Sequence, residues 1–130
     1  MFKLVLTVRK RDGLTREAFI EHYERRHTIL VRQMVPPAPL YRRNYIIDGA
    51  EIAGIPATGT AEAGFDCITE VGFETRAEAE AHVAAYLNPK NHPIIAADEA
   101  NFIHPDGLRF YIVEVRQSPG REPAVQRNDA

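Results

Sequence analysis

One stretch near the start of the chain decides the fold: residues 2–34, FKLVLTVRKRDGLTREAFIEHYERRHTILVRQM. Its opening segment, residues 2–10, carries β-branched residues in partial alternation and so predicts a strand. The pair Asp12-Gly13 that follows predicts a turn. Thr15 is suited to cap a helix, and after it the acidic residues come early and the arginines late, the order that a helix dipole favours. The stretch therefore predicts a strand, a turn and a helix.

The predicted helix has one apolar side. At about 100° per residue, the residues that share this side are Phe19, Ile20, Tyr23, His27, Leu30, Val31 and Met34. The stripe places His27 towards the sheet and leaves His22 outside it. The helix must end before residues 36–39, because the sequence Pro-Pro-Ala-Pro removes the backbone donors that a helix needs.

The rest of the chain continues the succession of strands and helices. It predicts strands over 41–48, 66–73 and 108–116, a helix over 75–87, a short helical turn over 94–101, a loop over 49–64 and a turn over 104–107. The order β-α-β-β-α-β is that of a ferredoxin-like fold of the α+β class, with a mostly antiparallel sheet and its helices on one face. We expect one domain over residues 1–117 and a flexible C-terminal tail over 118–130.

The last predicted strand has apolar residues on both of its sides. Leu108, Phe110 and Ile112 point one way, and Tyr111, Val113 and Val115 point the other. Since two helices can cover only one face of the sheet, the other face needs a partner. A second copy of the same sheet is the simplest partner, so we expect a homodimer.

Composition narrows the class of protein further. The 130 residues, 45% hydrophobic and 26% charged, are typical of one soluble domain, and no apolar run approaches the roughly 18 residues of a membrane span. A formal net charge of −2 argues against nucleic-acid binding. The lone cysteine, Cys67, excludes an internal disulfide and suits a reducing compartment. We expect a cytoplasmic protein that binds neither membranes nor nucleic acid.

A family resemblance rests on the residues already placed and on one late segment. Four segments resemble, in order and separation, the EthD family of the dimeric α+β barrel superfamily: residues 2–6, 9–19, 23–27 (Tyr-Glu-Arg-Arg-His) and 98–102 (Asp-Glu-Ala-Asn-Phe). The resemblance covers about residues 2–116. It implies a ferredoxin-like protomer that pairs sheet to sheet with a second copy to form a barrel.

What the resemblance implies about function is broader, because a fold of this kind carries several activities. The family takes its name from a gene associated with bacterial degradation of ethyl tert-butyl ether beside an oxidative system, and related barrels include polyketide cyclases, an isomerase and monooxygenases. We therefore expect a small enzyme of catabolism or secondary metabolism. It would be oxidoreductase-associated, or a cyclase or isomerase, acting without a bound cofactor on a hydrophobic ether, aromatic or polyketide-like substrate. The alternative is a non-catalytic protein that binds a hydrophobic metabolite or assists a partner oxygenase.

His27 and Asp98 are the first candidates for acid/base chemistry. An imidazole on the sheet-facing side of the helix borders any cleft between helix and sheet, where burial lowers its pKa towards that of a neutral base. Asp98 or Glu99 would orient such a base. The structural interpretations remain open: a histidine bonded to a backbone carbonyl, and an acid that caps a helix or pairs with Arg109.

Aromatic side chains complete the predicted site. Tyr23 and Tyr45 are candidate catalytic proton donors, and the candidate substrate-binding residues are Phe19, Tyr41, Phe102 and Tyr111. Each of the tyrosines can equally be a core or interface residue.

No metal site is expected. His22 and His27 are five residues apart, which separates them by about 140° on an α-helix, so they cannot bind one ion. The other histidines show no ligand spacing. The loop over 49–64 has no phosphate-binding motif and is either a flap over a pocket or an excursion without a role.

Overall fold

The computed structural model describes residues 1–120 as an α+β fold built on one four-stranded sheet. In chain order the elements are β1 (Phe2–Lys10), α1 (Arg16–His22), a π-helical turn (Tyr23–His27), α2 (Thr28–Met34), β2 (Leu40–Tyr45), β3 (Glu51–Ile52), β4 (Ile55–Pro56), α3 (Thr60–Ala63), β5 (Cys67–Phe73), α4 (Arg76–Leu87), α5 (His92–Phe102) and β6 (Ile103–Val113). The sheet has the order β2-β5-β1-β6, and every pairing in it is antiparallel. This is the ferredoxin-like arrangement, so the predicted fold class is confirmed.

The main core lies between the helices and one face of the sheet. On β1 this face carries Leu4, Leu6 and Val8, which lie opposite Ile112, Phe110 and Leu108 of β6. The predicted helical stripe packs onto it, with Phe19, Tyr23 and His27 all buried. Thr15 caps the helix, since its hydroxyl accepts the Ala18 N–H at 3.1 Å. The alternation read along the last strand therefore matches the observed register.

The opposite face of the sheet is more polar than predicted. Its central carboxylate, Glu70, accepts hydrogen bonds from Lys3 at 2.9 Å and from Arg42 at 2.8 Å. Apolar residues on this face include Val5, paired with Tyr111 in the register. At one end of this face, Ala63 of α3 and the following Gly64 and Phe65 line a shallow pocket together with Thr7 and Tyr111. The homodimer that was predicted to cover the face stays a prediction.

The final strand begins earlier than the sequence predicts. Residues 104–107, expected to form a turn before the strand, are part of β6 and form a bulge against β1. A Cβ atom on Gly107 would lie 2.8 Å from the Arg9 Cβ and 2.9 Å from the Arg9 carbonyl oxygen. Glycine at this position thus permits the close approach of the two strands.

The segment 49–64 was predicted to be a loop without structure, which is wrong. It contains the short β3-β4 hairpin and the helix α3. Asp48 anchors that helix, because its carboxylate accepts the Thr60 N–H at 2.7 Å and the Thr60 hydroxyl at 2.9 Å.

Two further expectations concern the C-terminal tail and the absence of a membrane span. Of the predicted tail over 118–130, residues 121–130 lie outside the described residues. Within residues 1–120, no helix is long and apolar enough to cross a membrane.

Candidate functional site

A cavity of about 440 Å³ lies between the helices and the sheet. Its wall is mostly apolar and includes Leu4, Leu6, Val31, Val35, Val71, Val83, Ile103, Leu108 and Phe110. The polar side chains that line it are Tyr23, His27, Arg32, Tyr41, Thr69, His82, Tyr86 and Glu99. It opens to solvent beside Leu87 and Phe110, which are 57% and 52% exposed. Size and lining are those of a site for a small apolar molecule that a few polar groups orient.

A carboxylate shared by two histidines lies behind one wall of the cavity. Asp98 Oδ2 is 2.9 Å from His27 Nδ1, and Asp98 Oδ1 is 2.9 Å from His22 Nε2. Because a carboxylate only accepts hydrogen bonds, each of these ring nitrogens carries the proton. Neutral His27 then has its lone pair on Nε2, the other ring nitrogen.

The π-helical turn is what brings the two histidines to one carboxylate. Within it the Thr28 N–H bonds to the Tyr23 carbonyl, five residues back, which widens the turn. On a regular α-helix His22 and His27 would lie on different sides, as the sequence predicts. The sequence prediction concerned a shared metal ion and did not foresee the shared carboxylate, which the π-helical turn makes possible.

The ring of His27 is held on every side. The side chain of His27 is only 7% exposed. The ring centroid of Phe102 lies 4.9 Å from that of His27, and Phe102 also stacks on the ring of His22 at 4.7 Å. Burial lowers the pKa of His27, and this effect exceeds the opposing influence of the Asp98 carboxylate. His27 is thus a neutral imidazole at neutral pH.

A second carboxyl group faces the free nitrogen of His27. Glu99 Oε2 lies 4.0 Å from His27 Nε2, and both Glu99 oxygens lie 2.8 Å from the Tyr86 hydroxyl. Burial, with a smaller contribution from the charge of Asp98, raises the pKa of Glu99. The separation of 4.0 Å is too long for a hydrogen bond, so each group is free to bond to a molecule in the cavity.

Two of the predicted aromatic residues also line the cavity. The Tyr23 hydroxyl is 2.6 Å from Thr69 Oγ1, and burial raises the pKa of Tyr23 well above its usual value. Burial likewise raises the pKa of Tyr41 to about 12, while the Arg43 guanidinium stacks 4.6 Å above its ring. Both tyrosines therefore remain neutral and can only donate or accept hydrogen bonds.

The structure places the other predicted aromatic residues away from the cavity. Phe19 and Phe102 are fully buried in the core behind it. Tyr45 donates its hydroxyl proton to Glu24, which also pairs with Arg43. Tyr111 is 45% exposed on the open face of the sheet, because its neighbour Phe110 takes the position towards the helices. Their side chains do not contact the space where a ligand of this cavity would lie.

The predicted set lacked His22 and Tyr86, and it named Glu99 only as a possible partner that orients the base, whereas Glu99 faces the free nitrogen of the base. Tyr86 shares the helical pattern of α4 with Val83, which could have indicated a sheet-facing position, but its distance to Glu99 depends on how two helices pack. Within residues 1–120 there is no group of three or more metal-ligating side chains placed to hold an ion.

Comparison with known proteins identifies the family. The EthD domain profile matches residues 11–106, which is most of the chain and spans His27, Asp98 and Glu99. The chain belongs to the EthD family. No curated protein matches the EthD chain.

Solved structures with the same fold come from plants and bacteria. A protein from Arabidopsis thaliana is 16% identical, with a TM-score of 0.59 over 92% of this chain and 99% of that chain. An ethyl tert-butyl ether D family protein from Bacillus halodurans is 16% identical, with a TM-score of 0.57 over 89% and 100%. An EthD-like protein from Ralstonia eutropha is 21% identical, with a TM-score of 0.57 over 90% and 95%. These similarities establish the fold of the EthD chain.

Proposed function

We propose that this EthD protein is an enzyme in which His27 acts as a general base on an apolar, ring-bearing substrate bound in the cavity. The observation that carries the proposal is the 2.9 Å hydrogen bond between Asp98 and His27 Nδ1, which leaves Nε2 unprotonated at the cavity wall. A base needs a fixed tautomer and a pKa near or below the working pH, and His27 meets both conditions. Proton transfer of this kind requires no cofactor, and isomerisation and cyclisation are the reactions it serves.

The alternative is a protein that only binds a hydrophobic metabolite or assists a partner oxygenase. The apolar wall of the cavity supports binding as such, and it suits both interpretations. A storage pocket, however, gains nothing from a buried histidine oriented by a carboxylate, since burying polar groups costs free energy. The Asp98–His27 pair therefore favours the enzyme.

The test uses a reporter substrate that requires a base and nothing else. Removal of the ring C–H proton of 5-nitrobenzisoxazole breaks the N–O bond and releases a coloured nitrophenolate. We expect His27→Gln to lower the protein-catalysed rate by at least about 10²-fold, the usual contribution of a general base. The matched control is His104→Gln, because His104 lies in the β6 bulge, outside this cavity.

The outcome decides between the two interpretations. A rate that depends on His27 and not on His104 supports the enzyme. If the reporter binds, as seen by saturation-transfer NMR, but is not converted faster than by free imidazole, the proposal fails and the binding interpretation takes its place.

A further inference from the structure

The cavity of this EthD protein holds a second group suited to proton transfer. Glu99 is carried by α5, one residue after Asp98, so its carboxyl points to the cavity side while Asp98 supports His27 from behind. The side chain is 17% exposed, and it forms no ion pair with lysine or arginine among the described residues. Its hydrogen-bond partner is the neutral hydroxyl of Tyr86.

The surroundings of the two groups favour their uncharged forms. Burial raises the pKa of Glu99 and lowers that of His27, so desolvation shifts the pair towards a protonated carboxyl beside an unprotonated imidazole. A pair of titratable groups with opposite shifts at one cavity is the arrangement that assigns an acid and a base.

Resting on the proposed function, we infer that Glu99 is the proton donor of the same site and that the substrate is a neutral, apolar carbonyl compound with a C–H bond next to the carbonyl. His27 Nε2 takes the proton from this carbon. The electron pair of the C–H bond forms a C=C bond to the carbonyl carbon. The π bond of the C=O group breaks, and its electron pair moves onto the oxygen, which takes the proton of the Glu99 carboxyl. The products are an enol, a protonated His27 and an ionised Glu99.

The geometry fits this double transfer. The carbon and oxygen that exchange protons are separated by one carbon atom, and the 4.0 Å between His27 Nε2 and Glu99 Oε2 lets both groups reach them from one side. After the transfer the two residues carry opposite charges at that separation, and their attraction stabilises the enol state. The mostly apolar wall favours a neutral substrate, because an ion would lose its hydration against it.

The test compares two reactions that differ in their need for an acid. Exchange of the hydrogen next to the carbonyl of α-tetralone, followed by proton NMR in deuterium oxide, requires both the base and the proton donor. Opening of 5-nitrobenzisoxazole requires the base alone. We expect Glu99→Gln to slow the exchange of α-tetralone by at least about 10²-fold while the opening of the benzisoxazole changes little. The control Glu17→Gln alters an exposed residue of α1 and should affect neither reaction.

Each result separates this inference from the function on which it rests. His27→Gln should abolish both the exchange of α-tetralone and the opening of the benzisoxazole. If it does so while Glu99→Gln still exchanges α-tetralone, only the role of Glu99 is overturned. Loss of both reactions in Glu99→Gln would also overturn it, because the residue would then act through His27 or through folding. An unaltered protein that opens the benzisoxazole but does not exchange α-tetralone would refute the carbonyl substrate class, and an unaltered protein that does neither refutes the proposed function itself.

Discussion

Replacement of Asp98 by asparagine reverses one hydrogen bond at His27 while it preserves the size of the side chain. Asp98 accepts hydrogen bonds from His27 Nδ1 and His22 Nε2, both at 2.9 Å. In Asp98→Asn the amide oxygen can accept from only one of the two rings. We expect it to accept from His22, so that the amide nitrogen faces His27. Since that nitrogen only donates, His27 Nδ1 must lose its proton, and Nε2 gains it.

The expected magnitudes follow from these two contacts. A hydrogen bond to a charged group contributes about 1.5–3 kcal/mol and a neutral one about 0.5–1.5 kcal/mol. Replacing both hydrogen bonds to the charged carboxylate by neutral ones should therefore lower the free energy of unfolding by about 2–3 kcal/mol. The effect on chemistry should be larger, because the lone pair of Nε2 no longer faces the cavity. We expect the benzisoxazole rate to fall by about 10²–10⁴-fold.

The assay is NMR of protein labelled with nitrogen-15 in its histidines, combined with the rate measurement. In the unaltered protein His27 should show a protonated Nδ1 and an unprotonated Nε2, and in Asp98→Asn the reverse. The control is Asp106→Asn, in the β6 bulge away from the cavity. The reasoning is refuted if the tautomer is the same in both proteins, or if it changes while the rate does not.

Three other predictions concern stability and assembly. Because the pKa of His27 lies below 6.5 in the folded protein, the unfolded chain binds its proton first as the pH falls. The free energy of unfolding, measured in urea, should therefore decrease below about pH 6.5 relative to that of His27→Gln, by up to about 1.4 kcal/mol per pH unit. If the free energies of the two proteins change with pH in the same way, the low pKa is contradicted. Gly107→Ala places a Cβ 2.8 Å from the Arg9 Cβ, so we expect the free energy of unfolding to fall by about 1–3 kcal/mol in a thermal unfolding experiment. An unchanged melting temperature would show that the bulge accommodates the Cβ without cost. The open face of the sheet should pair with a second copy, so sedimentation should give a dimer at micromolar concentration and a monomer for Val5→Arg; a monomer without the substitution refutes the pairing.

Local patterns along the chain predicted the fold well. The stripe containing Phe19 and Tyr23, the cap at Thr15 and the alternation along the last strand depend on neighbours in sequence, and the structure shows each of them. The order of these elements then leaves few topologies, and the ferredoxin-like one is observed. The part of the fold that sequence missed, such as the bulge at 104–107, depends on how β6 meets β1.

The candidate site was predicted less completely, because its geometry arises from contacts between distant residues. His27 and Asp98 were expected near each other, and they lie 71 positions apart in the chain. The inclusion of His22 requires a π-helical turn, which regular periodicity does not reveal. The position of Glu99 against Tyr86 depends on the packing of α5 on α4.

The most direct test of the central claim, that the free Nε2 of His27 is the base of this cavity, joins two titrations. One follows His27 by NMR, and the other follows the rate of 5-nitrobenzisoxazole opening against pH. The account predicts that the rate rises with pH through the same pKa at which His27 loses its proton, below 6.5. A rate that follows a different pKa, or that persists with the same pH profile in His27→Gln, would contradict it.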